Sequence, residues 1–172
     1  MIVLMAGLPG TGKTTLAREL ATRTAGRVLS KDVIRHSIFS AEEIEYSSQQ
    51  DDFCVRIMLE TAGYLFTRDP ERIIFLDGRP FSRRYQIENV LSAADSLQQP
   101  WRILECVCSE ETARRRFEAD GEAGSHLAGN RGVQLYLEVR ARFETITFDK
   151  TLIDTDQPLE LCIPLAMRAL EH

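Results

Sequence analysis

The segment Gly7-Leu8-Pro9-Gly10-Thr11-Gly12-Lys13-Thr14 constrains this chain more than any other stretch. It satisfies G-x-x-x-x-G-K-[ST] at every defined position, and its flanks agree with it. The apolar run Ile2–Ala6 before it has the character of a buried parallel strand. After it, Lys13–Thr24 places Leu16, Ala17, Leu20 and Ala21 along one side of a helix. Glycines let successive N–H groups turn inward into an anion nest, and the helix start adds its positive dipole end. The spacing therefore assigns Gly7, Leu8, Pro9, Gly10, Thr11, Gly12, Lys13, Thr14 and Thr15 to the phosphates of a nucleotide. Lys13 supplies a point charge to the β- and γ-phosphates, and Thr14 a hydroxyl to Mg²⁺.

The rest of the chain alternates between apolar runs and helical periodicity. Further strands are expected at 27–29, 72–76, Trp101–Val107 and 151–153. Helices are expected at 32–39, at 42–68 up to the stop at Asp69-Pro70, and from a Ser82 cap to about residue 98. Others follow a Ser109 cap, cover 133–148, and close the chain at Leu159–Leu170. This order implies an α/β fold, with a parallel sheet between helices on both faces and ligands bound beyond the carboxyl ends of the strands. A length of 172 residues suits a single domain, here 1–172, with the polar, Gly-rich stretch 120–132 as a mobile lid.

Composition narrows the classes of partner. Lys and Arg total 21 against 26 Asp and Glu, a net charge of −5, so there is no global basic surface for nucleic acid. No apolar run reaches the length of a membrane span, and the start of the chain lacks the basic n-region of a secretory signal. Cys54, Cys106, Cys108 and Cys162 lack zinc-site spacing and are expected to be reduced, structural thiols, with Cys106 and Cys108 in the core. The expected location is the cytoplasm.

Carboxylates and arginines fall at the other strand ends. Asp32 follows the second strand, where it can act as a base on an attacking hydroxyl or simply cap a helix. Arg35 shares its helix face and can hold a polar or anionic part of the acceptor, or make a surface ion pair. Asp77 ends the third strand, four apolar residues and then Asp, like a Walker B strand. It can reach Mg²⁺ through water, face the acceptor together with Arg79, or form a charge pair with Arg79 or Arg83. Of the consecutive Arg114, Arg115 and Arg116, which point about 100° apart, Arg116 is placed nearest the phosphates, with Arg114 or Arg115 on the adenine. Arg131 in the lid can bring charge to the transferring phosphoryl group, and His126 can touch the acceptor or be plain surface. The turn Asp154-Thr155-Asp156-Gln157-Pro158 can wall the adenine, and Pro158 can also simply start a helix.

With these residues in view, the chain resembles the small P-loop kinases of the nucleoside- and shikimate-kinase type. Within that group it is most similar to the AAA_33-type branch, which holds polynucleotide 5′-hydroxyl kinases, small-molecule kinases and zeta-toxin-like phosphotransferases. The carrying residues are the phosphate loop from Gly7 to Thr14, Lys31-Asp32 with Arg35, Asp77, and Arg116 with the lid. The resemblance implies a five-stranded parallel sheet in the order 2-3-1-4-5. It also implies Asp32 as base and Arg35 as the acceptor-side arginine. The chain departs from the polynucleotide kinases at Lys31, Val33 and the lid sequence 125–131.

The expected activity is Mg²⁺-assisted transfer of the γ-phosphate of ATP to a hydroxyl of a small molecule: a sugar, a nucleoside or an antibiotic. Lys13, Asp32, Arg116 and Arg131 are the expected catalytic groups, and the protein is expected to be a monomer or homodimer. Two alternatives remain. One is a nucleic-acid 5′-hydroxyl kinase using a basic track of Lys31, Arg35, Arg79, Arg83 and Arg84. The other is a nucleotide-dependent ATPase or switch with a protein partner.

Overall fold

The computed structural model of the chain describes residues 1–123 and 132–171, with the backbone alone at 120–123. Five strands, β1 (Ile2–Ala6), β2 (Arg27–Ser30), β3 (Ile74–Asp77), β4 (Trp101–Val107) and β5 (Thr151–Asp154), form one sheet in the order β2-β3-β1-β4-β5. Every pairing is parallel. The helices are α1 (Lys13–Thr24), α2 (Lys31–Ile38), α3 (Ser48–Arg68), α4 (Arg84–Ser96), α5 (Glu110–Ala123), α6 (Val133–Ala141) and α7 (Leu159–Leu170), with a 3₁₀ turn at Ala41–Glu43.

The central strand shows why helices cover both faces. All five residues of β1 are buried, and successive side chains point to opposite sides of a sheet. Ile2, Leu4 and Ala6 join Met58, Ala62, Val90 and Ala94 from α3 and α4. Val3 and Met5 join Leu16, Leu20, Ile163 and Ala166 from α1 and α7. Two apolar layers of this kind drive the fold, at roughly 25 cal/mol per Å² of apolar surface buried.

β1 hands the chain to a loop under tight steric control. Gly7 has φ +126°, and a Cβ there would lie 2.1 Å from the carbonyl oxygen of Cys106 at the end of β4. Only glycine fits both the torsion and the space. Its N–H donates to Pro80 O at 3.0 Å, so the loop is also tied to the segment after β3.

Several elements depart from the sequence expectation. The helix expected at 42–68 is broken, and α3 begins only at Ser48. Tyr46 adopts φ +52°, which ends any helix there, and Ser47 Oγ caps α3 by accepting from Gln50 N at 3.1 Å. α4 starts at Arg84 with Arg83, not Ser82, at its cap position. The orphan amide of Arg84 donates to the Glu144 carboxylate at 2.6 Å, and Glu144 N donates to Ser82 O at 2.9 Å. That distant cap also explains why the helix expected at 133–148 stops at Ala141: the chain must turn to deliver Glu144. β3 sits later than expected and carries Asp77 in the sheet, paired with Ser30. Ser109 caps α5 as expected, accepting from Thr112 N at 3.2 Å. α5 extends through Ala123 into the stretch expected to be a lid.

Gly7→Ala should lower unfolding free energy by roughly 2 kcal/mol or more, the usual cost of a forbidden torsion combined with a clash. Gly132→Ala has open space around it and should change stability by less than about 0.5 kcal/mol. Denaturant titration of both variants checks the contrast. Hydrogen bonds from Arg84 N–H and then Arg83 hold the Glu144 carboxyl below its ordinary range. A depressed folded-state value means stability that is present above the unfolded value of about 4.3 and is lost as pH falls through the lower one. Stability measured against pH should therefore fall less steeply below about pH 4.3 for Glu144→Gln than for the parent.

Candidate functional site

The loop between β1 and α1 is shaped to surround an anion. Gly7, Gly10 and Gly12 all have positive φ, at 126°, 79° and 75°. Gly12 is the N-cap of α1, with no side chain over the helix start and no acidic residue in the first turn. The first amides of α1 are thus left for a ligand. Lys13 Nζ donates to Gly7 O at 2.9 Å and Leu8 O at 2.6 Å, which draws the ammonium across the loop.

Thr14 and Asp77 meet beside this loop. Thr14 Oγ1 donates to Asp77 Oδ2 at 2.8 Å. Asp77 is 2% exposed, and its Oδ1 has no hydrogen-bond partner among the described residues. An orphaned buried acceptor costs about 1–3 kcal/mol. A hydroxyl next to a carboxylate oxygen in need of a cation is a donor set for a hard divalent ion, so these residues fit Mg²⁺. The charge pairs weighed for Asp77 do not form: Arg79 pairs with Asp52 at 2.6 Å and Arg83 with Glu144 at 2.9 Å.

The opposite end of the cavity is built by α2 and the start of α3. Ser30, not Asp32, caps α2, so Asp32 is not needed as a cap. Arg35 is 0% exposed and is no surface ion-pair residue. Its Nη1 donates to Asp32 Oδ1 at 3.1 Å, its Nε to Gln50 Oε1 at 3.1 Å, and its Nη2 to Asp51 Oδ1. Lys31 Nζ lies 2.7 Å from Asp51 Oδ1 and 3.5 Å from Asp32 Oδ1. The Arg35 guanidinium also stacks over the Tyr46 ring, 5.0 Å from its centroid. A buried arginine survives only when so matched, and here the matching fixes the Asp32 carboxylate in place.

Arg116 fastens the nucleotide side. Its Nη1 donates to Gly10 O at 2.9 Å and its Nη2 to Thr155 O at 2.7 Å. Thr155 Oγ1 donates onward to Thr11 O at 3.0 Å, so α5, the phosphate loop and the turn after β5 are joined. Arg115, expected on the adenine, points away: it is exposed, its guanidinium reaches only Thr112 Oγ1 at 3.5 Å, and it does not line the cavity. Neighbouring helix residues diverge by about 100°, and Arg116 takes the inward direction. Arg114 is likewise turned outward, onto Glu110 at 2.7 Å. Pro158 is the N-cap of α7 and lies off the cavity wall, which Gln157 and Leu159 form instead.

A single cavity of about 380 Å³ joins these parts, from Gly10, Lys13, Thr14 and Thr15 through Asp77 to Lys31, Asp32, Arg35 and Asp51. Leu8 is not part of the cavity lining, and its carbonyl accepts from Lys13 Nζ and Thr11 Oγ1. Arg79 is 3% exposed and packs outside the cavity lining, on Asp52 and Tyr85. The expected lid residues His126 and Arg131 lie outside the described residues. Sequence reasoning missed Tyr46, Gln50, Asp51 and Arg142, whereas Thr155 and Gln157 belong to the turn expected to wall the adenine. In a helix expected at 42–68, Asp51 and Asp52 are interior acids with no special signal, and nothing local marks Tyr46.

The cysteines are free. Burial pushes the Cys106 thiol up to about 12, and raises Cys108 and Cys162. Protonated thiols are poor nucleophiles. Cys106 is in the core as expected, while Cys108 is only half-buried, just beyond β4. Among the described residues no cluster of His, Cys, Asp and Glu could hold a metal by itself, and no helix is long and apolar enough to cross a membrane.

Solved structures share this architecture. The Mycobacterium tuberculosis APS kinase CysC, in complex with AMPPNP and APS, matches with a TM-score of 0.76 at 15% identity, over 99% of this chain and 97% of that one. A sugar kinase from Janibacter sp. HTCC2649 matches with a TM-score of 0.67 at 20% identity, over 99% and 94%. Chaetomium thermophilum Kti12, in complex with ADP-AlF3, matches with a TM-score of 0.63 at 17% identity, over 98% of each chain. No curated protein matches at the level of sequence. A family model described as an AAA domain, AAA_33, matches residues 2–155, and the chain with its phosphate loop belongs to that family.

Proposed function

We propose that the protein is an ATP-dependent kinase that transfers the γ-phosphate to a hydroxyl of a small molecule. One observation carries this reading: a cavity with the phosphate loop at one end holds a fixed carboxylate, Asp32, at the other. A nucleotide site alone needs no such carboxylate, whereas hydroxyl attack on a phosphoryl group does. The APS kinase and sugar kinase neighbours support the same class.

In this reading the amides of Gly10, Gly12 and Lys13 surround the β- and γ-phosphates. The Lys13 ammonium, already at the loop mouth, exchanges its carbonyl partners for phosphate oxygens. Arg116 holds the loop against the turn at Thr155, where the base of the nucleotide would rest. Asp32 orients the acceptor hydroxyl and takes its proton, while Lys31 and Arg35 keep the carboxylate from rotating. Mg²⁺, held by Thr14 and Asp77, would supply charge neutralisation on the phosphates. Arg142, which lines the cavity from beyond α6, and Arg131 are the further guanidinium groups assigned to the transferring phosphoryl group.

The nucleic-acid alternative is less well supported. Its basic track would use Lys31, Arg35, Arg79, Arg83 and Arg84, and each of these is already paired with a carboxylate. The Kti12 neighbour supports the nucleotide site and not a choice of acceptor.

Lys13→Met should abolish ATP-dependent turnover and weaken nucleotide binding by calorimetry. Asp32→Asn should keep ATP affinity within about threefold while kcat falls by roughly 10²–10⁴, the usual contribution of a general base. Acceptor-dependent ADP release measures both, and unchanged kcat in Asp32→Asn would remove Asp32 from the chemistry.

A further inference from the structure

The acceptor end of the cavity is rich in charge, and among the described residues its cations and carboxylates are equal in number. Lys31 and Arg35 are the cations there, and Asp32 and Asp51 the carboxylates. Both cations converge on Asp51 Oδ1 and both also reach Asp32 Oδ1. Arg35 also donates its Nε–H to Gln50 and lays its plane against Tyr46. The other cations that line the cavity among the described residues are Lys13 and Arg116 at the phosphate loop, and Arg142 just after α6. That distribution suits a polyanionic nucleotide at one end and an uncharged group at the other.

The hydrogen-bonding capacity at the neutral end has a definite sense. Asp51 Oδ2 makes no hydrogen bond among the described residues, and Asp51 lines the cavity. A carboxylate oxygen of this kind accepts from hydroxyl groups. Tyr46 adds a ring to the same wall, held at φ +52°, a backbone region that a tyrosine occupies only when its surroundings enforce it. A fixed carboxylate of this kind is suited to the hydroxyls of carbohydrates.

Resting on the kinase reading above, we propose that the acceptor is an uncharged polyhydroxylated molecule, a sugar or polyol, and that Asp51 is the residue that sets this choice. Asp51 pairs with both Lys31 and Arg35, so among the described residues a carboxylate, phosphate or sulfate on the acceptor meets cations that are already matched. An anionic acceptor would instead bring its charge beside two existing carboxylates, an arrangement that costs binding energy in a partly buried site.

The test uses matched pairs: glucose with gluconate, ribose with ribose 5-phosphate, inositol with inositol phosphate. Acceptor-dependent ADP release should favour the uncharged member by about tenfold or more in kcat/KM. Asp51→Asn releases a positive charge and should shift the ratio toward the charged member by about the same factor. Lys31→Met leaves the cluster negative and should move selectivity toward amino sugars. A second readout needs no acceptor. The protein loaded with AMPPNP and Mg²⁺ is titrated with inorganic sulfate by calorimetry. Wild type should show no saturable heat, and Asp51→Asn should show it. A preference for charged acceptors, or saturable sulfate binding to the loaded wild type, overturns this inference and leaves the kinase reading standing. Absence of ATP binding, by contrast, would remove the kinase reading itself.

Discussion

The close passage of the chain at Gly7 governs the geometry of everything beyond it. β1 occupies the centre of the sheet, between β3 and β4. Where it ends, the backbone runs so near the last carbonyl of Cys106 that no side chain can be accommodated. The loop is thereby pressed against β4 while its first amide is bonded to Pro80, beyond β3. The loop amides and the Asp77 carboxylate are set side by side by these backbone contacts, and the Arg116 side chain ties the loop to the turn after β5.

Electrostatic matching organises the remainder of the cavity. Arg35 has no solvent exposure, and an uncompensated charge there would cost several kcal/mol. Its carboxylate and amide partners come from two helices and the turn between them, so one side chain locks α2 to the start of α3. Asp77 presents the opposite case, an acceptor left in deficit beside a hydroxyl. A satisfied cluster at one end and an unsatisfied oxygen at the other give the cavity its polarity: rigid where a substrate hydroxyl would be positioned, ion-seeking where phosphates would lie.

Local signals carried much of this into the amino-acid sequence. Lys13–Thr24, Trp101–Val107 and Leu159–Leu170 could be read to the residue, because a glycine loop, an apolar run after Pro100 and a Pro158 start delimit them. The strand order is the one the resemblance implies, and Arg116 lies near the phosphate loop as its place on the helix suggests. What escaped depends on distant partners. The turn at Tyr46 is held by Gln50, whose Nε2 donates to Glu43 O and whose Oε1 accepts from Arg35. The start of α4 is decided by Glu144. Asp51 lies in the interior of the helix expected at 42–68 and carries no signal until the fold brings Lys31 and Arg35 onto it.

The central claim is that phosphate bound at the loop is passed to a hydroxyl held by Asp32, and phosphorus NMR tests it most directly. The protein with ATP, Mg²⁺ and a pool of uncharged sugars and polyols should yield a phosphomonoester resonance that grows in step with ADP. Growth of inorganic phosphate alone, at the same rate with and without the pool, would contradict the account and make the cavity an ATPase site.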